Sequence, residues 1–272
     1  MKLGYIDYLN CYPFYYHMFE KEPIDSIEIF PDYPSNLNSS MKSGELHMSP
    51  ISSGAYPEIA GNVLLIPDFC LSSVGYVGSV NLVSNLPIED LNGKTIGVTS
   101  ASGTSVNLMK ILLEKFYNLK PNYIITHPMP NIDEGLDAAL LIGNEAMLQL
   151  AHPVSFKYDI GELWHLKTGY PAVFAVFAVQ KSAVNNFKDK INAIIHSYSK
   201  SLECVKSEKD IVVAKAKERY PDIIYDIGYY FSLFRFDFTE YLQEALMLSF
   251  RLGNEMGLLK KVDKIEMFEN NG

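Results

Sequence analysis

Small polar residues stand at three places where a strand pattern gives way to a helix pattern. The segment 4–13 (GYIDYLNCYP) ends its strand at Asn10, and the segments 49–53 (SPISS) and 99–105 (TSASGTS) end in residues that begin helices. In open α/β sheets, ligands bind just past the carboxyl ends of strands, where helix N-termini point. Because these three edges carry few charges, the sequence predicts a cleft for a small anion.

The segment 99–105 carries the strongest of these signals. Its glycine permits a close approach to the backbone, and the N–H groups at the start of the new helix form an anion seat to which hydroxyls add donors. The same residues also fit an ordinary capped helix. A similar pair of serines ends the segment 49–53, and two seats favour the binding interpretation. The predicted substrate-binding residues at these seats are Ser52, Ser53, Ser102, Gly103, Thr104 and Ser105.

Asn144 and Glu145 follow a further strand pattern, the continuous apolar run 138–142 (AALLI). One of the two side chains could face the cleft. An N-cap asparagine followed by an acid in the first helical turn explains the pair equally well. We favour this second interpretation for Glu145 and keep Asn144 as a candidate substrate-binding residue.

Charge and cysteine content exclude several classes of function. The 272-residue chain has a formal net charge of −9, whereas binding to nucleic acid or anionic membranes needs clustered Lys and Arg. Three widely spaced cysteines indicate a reducing compartment without disulfides. One of them, Cys11, follows a strand end, where a nucleophile is conceivable but a small buried residue is the simpler interpretation. No signal peptide and no apolar stretch of about 18 residues is visible, so we expect a cytoplasmic protein.

The distribution of basic and metal-ligating residues limits the chemistry further. The three arginines, Arg219, Arg235 and Arg251, all lie in the last quarter of the chain. A cleft built from the first two-thirds contains none of them, so a bound carboxylate rests on N–H groups, hydroxyls and helix dipoles. Nucleotide-binding glycine motifs are missing, and the six histidines show no ligand spacing with the cysteines. We expect no cofactor and no metal.

The elements that must position these residues alternate between strand and helix. The first part of the chain reads as βαβαβα, which indicates a parallel sheet. Two long β runs, 74–84 and 172–179, bracket a second α/β series, and two crossings between lobes would explain them. The remaining pattern is helical, over residues 183–205, 209–219 and 238–257.

We therefore predict an α/β protein of two lobes, similar to the type II periplasmic-binding-protein fold. Each lobe is a mainly parallel sheet flanked by helices. Residues 1–80 and 176–272 form a discontinuous first lobe with a helical C-terminal segment, and residues 81–175 form the second lobe, with the ligand cleft between them. One continuous doubly wound sheet is the alternative.

The ordered set of these segments resembles the chorismate dehydratase family of the futalosine route to menaquinone. The resemblance runs over about residues 1–180, and no single motif decides it. It rests on the segments 4–13, 44–46, 49–53, 78–80, 99–105, 140–146 and 161–175.

The resemblance implies an enzyme that removes water from chorismate to give 3-[(1-carboxyvinyl)oxy]benzoate, a lyase reaction without a cofactor. Chorismate has two carboxylates, which suits two helix-end seats. Loss of the C4 hydroxyl and the C3 proton makes an aromatic ring, so the enzyme positions the diene, assists proton removal and donates a hydrogen bond to the leaving hydroxyl. The resemblance assigns catalysis to Asn10 and Ser79, with the substrate's own side-chain carboxylate as base.

Three positions depart from the family pattern: Gly78, where larger or charged residues are common, and His47 and Asn144, where Asp is common. They leave the substrate's identity open. A 1,4-dihydroxy-6-naphthoate synthase of the same route shares the fold, but its typical His-Glu pair reads Asn144-Glu145 here, so it ranks second. A non-catalytic cytoplasmic binding protein for a small carboxylate would have the same cleft. A transporter's solute-binding subunit is a third alternative, against which the missing signal peptide weighs.

Overall fold

The computed structural model describes residues 1–128, 132, 135–148 and 154–269. Strands and helices alternate over most of this range. Its eleven strands are β1 (Lys2–Ile6), β2 (Glu28–Asp32), β3 (Met48–Ser52), β4 (Val63–Ser73), β5 (Val80–Ser84), β6 (Thr95–Thr99), β7 (Asn122–Thr126), β8 (Ala138–Ile142), β9 (Phe156–Asp159), β10 (Ala172–Gln180) and β11 (Phe234–Asp237).

The ten α-helices of the described residues range from one turn to more than seven. Within these residues, no helix is both long enough and apolar enough to span a bilayer. The helices are α1 (Tyr12–Tyr16), α2 (Pro34–Ser43), α3 (Tyr56–Ile59), α4 (Gly103–Ile111), α5 (Gly143–Leu148), α6 (Ile160–Thr168), α7 (Lys181–Ser207), α8 (Lys209–Arg219), α9 (Ile227–Leu233) and α10 (Glu240–Glu255).

The strands form two sheets. The first sheet has the order β11-β4-β10-β3-β1-β2, and the second has the order β7-β6-β8-β5-β9. The predicted α/β architecture built around two sheets is confirmed. Both sheets are mixed rather than mainly parallel. In the first, β10 runs antiparallel to β3 and β4, and in the second, β5 runs antiparallel to β8 and β9.

The chain passes from the first sheet to the second between β4 and β5. The sequence predicted a single β run over residues 74–84, whereas only Val80–Ser84 is a strand and residues 74–79 are irregular. Gly75 and Gly78 have φ angles of +79° and +77°, which glycine adopts readily and other residues rarely adopt. These two glycines end the β pattern and place Ser79 at the boundary between the sheets.

An aromatic core supports the first sheet. All nine residues of β10 are buried, and its Phe177 packs against Phe14 of α1 and Tyr198 of α7, with ring centroids 4.5 and 5.2 Å apart. In the second sheet, β8 is buried along its whole length, as its continuous apolar run predicted. Both central strands are therefore rigid supports for the loops at their ends.

The C-terminal segment is helical as predicted and has two further elements. The helices α7, α8 and α10 coincide closely with the predicted ranges. The sequence pattern missed α9 and β11, because they have only seven and four residues and depend on tertiary contacts. β11 pairs antiparallel with β4, and this pairing brings Tyr230 and Phe234 to the boundary between the sheets.

Candidate active site between the two sheets

A cavity of about 40 Å³ lies where the two sheets meet. Strand ends from both sheets, the start of α4 and the middle of β10 form its walls. Among the described residues that line it, none has a charged side chain. They are Ile6, Tyr8, Asn10, Cys11, Pro34, Ser52, Leu71, Val77, Ser79, Val80, Ser102, Ser105, Ile142, Gly143, Phe174, Ala175 and Phe234.

A larger open groove of about 480 Å³ runs along α10, where Tyr170, Arg251 and Lys261 are among its lining residues. It contains none of the residues that the sequence singled out for catalysis or substrate binding. The chemistry predicted from the sequence therefore belongs to the smaller cavity.

Asn10 lies in the short 3-10 turn Leu9–Cys11 that follows β1, and it lines the cavity. Its Oδ1 atom is buried and has no hydrogen-bond partner among the residues that the structure describes. Buried side-chain oxygens in native proteins nearly always have a partner, so such an atom needs an explanation. Because Oδ1 belongs to a cavity-lining residue, the simplest explanation is a bound molecule that supplies the missing partner.

Ser79 stands directly before β5, is fully buried and lines the same cavity. The Tyr230 Oη of α9 donates a hydrogen bond of 2.7 Å to Ser79 Oγ. The Asn10 side chain also lies near the Tyr230 hydroxyl and helps to lower its pKa, although burial dominates and raises it overall. We call Asn10, Ser79 and Tyr230 the polar triad.

Asp159, at the end of β9, holds the irregular segment that leads to Ser79. Its carboxylate accepts hydrogen bonds from the backbone N–H groups of Val77 and Gly78, at 3.2 and 2.7 Å. It also accepts the N–H of Glu162 at 3.0 Å and so caps α6. Burial raises the pKa of Asp159, and these three N–H groups oppose that rise. One carboxylate thereby fixes the backbone on which Ser79 stands.

Three of the predicted seat residues line the cavity. Ser52 ends β3, and Ser102 and Ser105 stand at the start of the nine-residue helix α4. Ser102 Oγ accepts the Ser105 N–H over a long distance of 3.5 Å. The Ser52 and Ser105 hydroxyls make no hydrogen bond to the described part of the chain. Hydroxyls and the positive end of a helix dipole therefore face the cavity together.

Two other predicted seat residues bind each other instead of lining the cavity. Thr104 Oγ1 lies 3.2 Å from Ser53 Oγ and accepts the Gly54 N–H at 2.8 Å. Ser53 Oγ also donates to the backbone oxygen of Val173 at 2.7 Å. A Cβ on Gly54 would lie 3.2 Å from the Thr104 Cα, so glycine allows the two segments to approach closely. A Cβ on Gly103 would meet no atom within 4 Å.

Asn144 makes a similar bond between the sheets, where its Oδ1 accepts the Leu9 N–H at 3.0 Å. It does not line the cavity. We call the hydrogen bonds Ser53–Thr104, Gly54–Thr104 and Leu9–Asn144 the cross-sheet bonds. Each of them joins a residue that follows a strand of the first sheet to a residue that follows a strand of the second.

The neighbours of Asn144 pack against Tyr8, which reaches the cavity from the first sheet. Gly143 has a φ of +57°, and a Cβ there would lie 2.7 Å from the Tyr8 ring. Glu145 is buried, and burial raises the pKa of its carboxyl, while the nearby Tyr8 and Tyr33 hydroxyls oppose the rise. Tyr8 Oη and Glu145 Oε2 are both buried, and neither has a hydrogen-bond partner in the described part of the chain.

A comparison with protein families shows which family this chain belongs to. A family model described as menaquinone biosynthesis matches residues 1–255 of this chain. The chain belongs to this menaquinone biosynthesis family. Among curated proteins, it is 28% identical over 195 residues to the chorismate dehydratase of Thermus thermophilus, an alignment that covers 66% of this chain and 69% of the relative.

Solved structures show that this family member has the periplasmic-binding-protein fold. The alkanesulfonate-binding protein SsuA from Xanthomonas axonopodis pv. citri matches with a TM-score of 0.73 and 12% identity, covering 96% of this chain and 94% of that one. A Candida albicans protein described as having the generic periplasmic binding protein fold matches with a TM-score of 0.72 and 14% identity, covering 100% and 98%. A protein from Archaeoglobus fulgidus matches with a TM-score of 0.71 and 17% identity, covering 95% and 98%.

Sequence reasoning about this family member missed two residues of the site. Tyr230 lies 151 positions from its partner Ser79, and nothing in the local pattern around it indicates a polar role. Asp159 carries a detectable signal, because an Asp before the apolar run of α6 with Glu162 three positions later is typical of a capped helix start. Cys11 lines the cavity, but burial raises the pKa of its thiol far above neutrality, so it stays protonated.

Proposed function

We propose that this protein is a chorismate dehydratase, a carbon–oxygen lyase that removes water from chorismate to give 3-[(1-carboxyvinyl)oxy]benzoate. It acts in the futalosine route to menaquinone and works in the cytoplasm. The observation that carries the proposal is the pairing of Asn10 and Ser79 at one charge-free cavity in a member of the menaquinone biosynthesis family. Each offers the cavity a polar group that no described protein atom occupies.

The reaction breaks the C3–H bond, and its electron pair becomes part of the aromatic ring as the C4–O bond breaks. The departing hydroxyl needs a hydrogen-bond donor, and we assign that role to the Ser79 hydroxyl, which lines the cavity. Asn10 orients the diene or its ring substituents through the side-chain amide. Neither residue is a strong base, which is consistent with the substrate's own side-chain carboxylate accepting the C3 proton.

The substrate carboxylates are bound without arginine. Ser52 lies on one side of the cavity, and Ser102 and Ser105 lie on another, beside the N-terminus of α4. A carboxylate at a helix N-terminus is stabilised by free N–H groups and by the helix dipole. We assign direct carboxylate contacts to these three serines and to the backbone at Gly103. Ser53, Thr104 and Asn144 contribute to substrate binding indirectly, by holding the two sheets together around it.

Substrate enters when two lobes separate, one built on the first sheet and the other on the second. They follow the predicted division into residues 1–80 and 176–272 and residues 81–175, except that residues 172–175 of β10 pair within the first sheet. A cavity of about 40 Å³ holds only a few water molecules, whereas pockets for small organic ligands have volumes of about 300 Å³ or more. The cross-sheet bonds join residues on opposite sides of this division. Breaking and remaking them accompanies the opening and closing of the cleft.

Purified protein mixed with chorismate tests the function directly. We expect a new benzoate absorbance and a product whose mass is lower than that of chorismate by one water. Controls without protein, and with an Asn10→Ala/Ser79→Ala double variant, measure the spontaneous breakdown of chorismate. If chorismate binds and protects the protein against thermal unfolding but is returned unchanged, the protein is a binding protein and the proposed activity is wrong.

A further inference from the structure

A buried hydrogen bond connects α9 to Ser79 in the cavity wall. Tyr230 and Ser79 are both fully buried, and the Tyr230 Oη lies 2.7 Å from Ser79 Oγ. We propose that Tyr230 is a positioning residue that fixes the Ser79 hydroxyl so that its proton is donated into the cavity. This inference rests on the proposed dehydration of chorismate, in which Ser79 donates to the leaving hydroxyl.

The hydrogen bonds around Ser79 use its oxygen atoms as acceptors and do not use its hydroxyl proton. A serine hydroxyl donates one hydrogen bond and accepts up to two. The Tyr230 proton occupies an acceptor position on Oγ, and the backbone oxygen of Ser79 is occupied by the Gly143 N–H at 2.8 Å. Within the described ranges, no protein atom accepts the Ser79 proton. Because Ser79 lines the cavity, a bound molecule is the available acceptor.

The Tyr230 side chain is itself firmly held. Its ring meets those of Phe234 and Tyr225 edge to face, with centroids 4.9 and 6.0 Å apart. Asp226 caps α9 by accepting the Tyr229 N–H at 2.9 Å. Burial raises the pKa of Tyr230, so the phenol keeps the proton that it donates. A fixed ring with a permanent proton sets the direction of the hydrogen bond.

This arrangement makes Ser79 a better donor without consuming a proton from Tyr230. Hydrogen bonds in a chain polarise one another, so a serine that accepts from a phenol donates more strongly. The C3 proton goes to the substrate carboxylate, and the hydroxyl leaves C4 while it accepts a hydrogen bond from Ser79. The departing hydroxyl finally takes the C3 proton and leaves as water. Tyr230 therefore acts through Ser79 and touches no reacting atom.

Tyr230→Phe removes the hydrogen bond and keeps the ring. We expect kcat for chorismate to fall about 10–100-fold, the loss measured when partners that orient metal ligands are removed, with KM and the melting temperature nearly unchanged. Tyr198→Phe is the matched control, because Tyr198 is also fully buried and donates from its phenol to another hydroxyl, that of Tyr15, at 2.7 Å. Tyr198 does not line the cavity, so this variant should keep the wild-type kcat.

A double-variant cycle separates positioning from a structural role. If Tyr230 acts through Ser79, Tyr230→Phe has no further effect on kcat once Ser79→Ala is present. Equal fold losses in the wild-type and Ser79→Ala backgrounds would overturn the inference and leave the proposed function intact, as would an unchanged kcat in Tyr230→Phe alone. A wild-type protein that does not convert chorismate would overturn the function itself, and the inference with it.

Discussion

Two sets of polar side chains flank the boundary between the sheets, and they differ in what satisfies them. In the polar triad, Asn10 Oδ1 has no partner and the Ser79 proton has no protein acceptor within the described residues. In the cross-sheet bonds, Ser53, Thr104 and Asn144 are all bonded to protein atoms. The same residue types at similar strand ends thus leave donors and acceptors free in one set and occupied in the other.

We interpret this difference as a division between residues that act on the substrate and residues that hold the two sheets together. A buried polar group without a protein partner costs stability, and where it belongs to a cavity-lining residue, as in Asn10 and Ser79, a bound substrate would supply the missing partner. A polar group that joins two segments contributes to their association by about 1 kcal/mol per hydrogen bond. We therefore expect substitutions in the polar triad to reduce the rate at constant stability, and substitutions in the cross-sheet bonds to change binding.

The largest expected effect comes from Asn10→Ala and Ser79→Ala. Each removes a group that we propose contacts the substrate in the transition state, and loss of one such donor typically lowers the rate by about 10²–10³-fold. Turnover of chorismate and thermal melts are measured side by side. Ser72→Ala is the matched control, because Ser72 is also fully buried but donates to the backbone oxygen of Arg235 outside the cavity. Near-native turnover in both well-folded variants would remove the proposed catalytic roles.

Asp159→Ala should affect stability and turnover together. It leaves the N–H groups of Val77, Gly78 and Glu162 without their acceptor in a buried place, at a cost of at least about 2 kcal/mol in the free energy of unfolding. Urea unfolding and chorismate turnover check this result. Asp159→Asn keeps an acceptor oxygen and should lose less of both. Stability that falls while turnover stays native would show that Asp159 does not position Ser79.

Thr104→Val should have a moderate effect on binding. It breaks the bonds to Ser53 and Gly54. At about 1 kcal/mol for each bond, the loss of about 2 kcal/mol from the closed form corresponds to a roughly 30-fold rise in KM. Thr126→Val, which removes a bond within the second sheet to Val98, serves as the control. A rise in KM above about 300-fold would instead place Thr104 in direct contact with a substrate carboxylate, because a hydrogen bond to a charged group would add about 1.5–3 kcal/mol to the loss of the two cross-sheet bonds.

Glu145→Gln should have the smallest effect, one that depends on pH. Burial raises the pKa of Glu145 in the folded protein, so the folded state holds this proton more tightly than the unfolded state does. The stability of the wild type therefore falls as the pH rises through the folded pKa, and the neutral Gln variant escapes this loss. We expect Glu145→Gln to be more stable than the wild type at neutral pH and similar to it near pH 4.

Urea unfolding at both pH values tests this expectation, with Glu244→Gln as an exposed control. A variant that is less stable than the wild type at neutral pH would mean that the ionised carboxylate has a favourable partner. In that case Glu145 would resemble the hydrogen-bonded residues of the cross-sheet bonds. It would not be a buried carboxyl whose ionisation destabilises the folded protein.

Local patterns in the sequence predicted the elements that carry the site. The continuous apolar run at 138–142 identified a central buried strand, and the sequence TSASGTS identified the start of α4. These features depend on residues close together in the chain. Patterns also located Asn10 at a strand end and Ser79 beside a crossing, but the family resemblance, rather than any spacing, supplied their proposed roles.

Only the tertiary structure decided which polar residues face the cavity. Ser52 and Ser53 are neighbours with the same side chain, yet one lines the cavity and the other bonds to Thr104. Their placement depends on how two sheets approach each other, which no local pattern records. The Tyr230–Ser79 bond is the extreme case, because it joins residues 151 positions apart through α9 and β11. The sequence by itself therefore located the ends of β6 and β8, whereas packing between distant segments determined which polar side chains at the strand ends stayed free for a substrate.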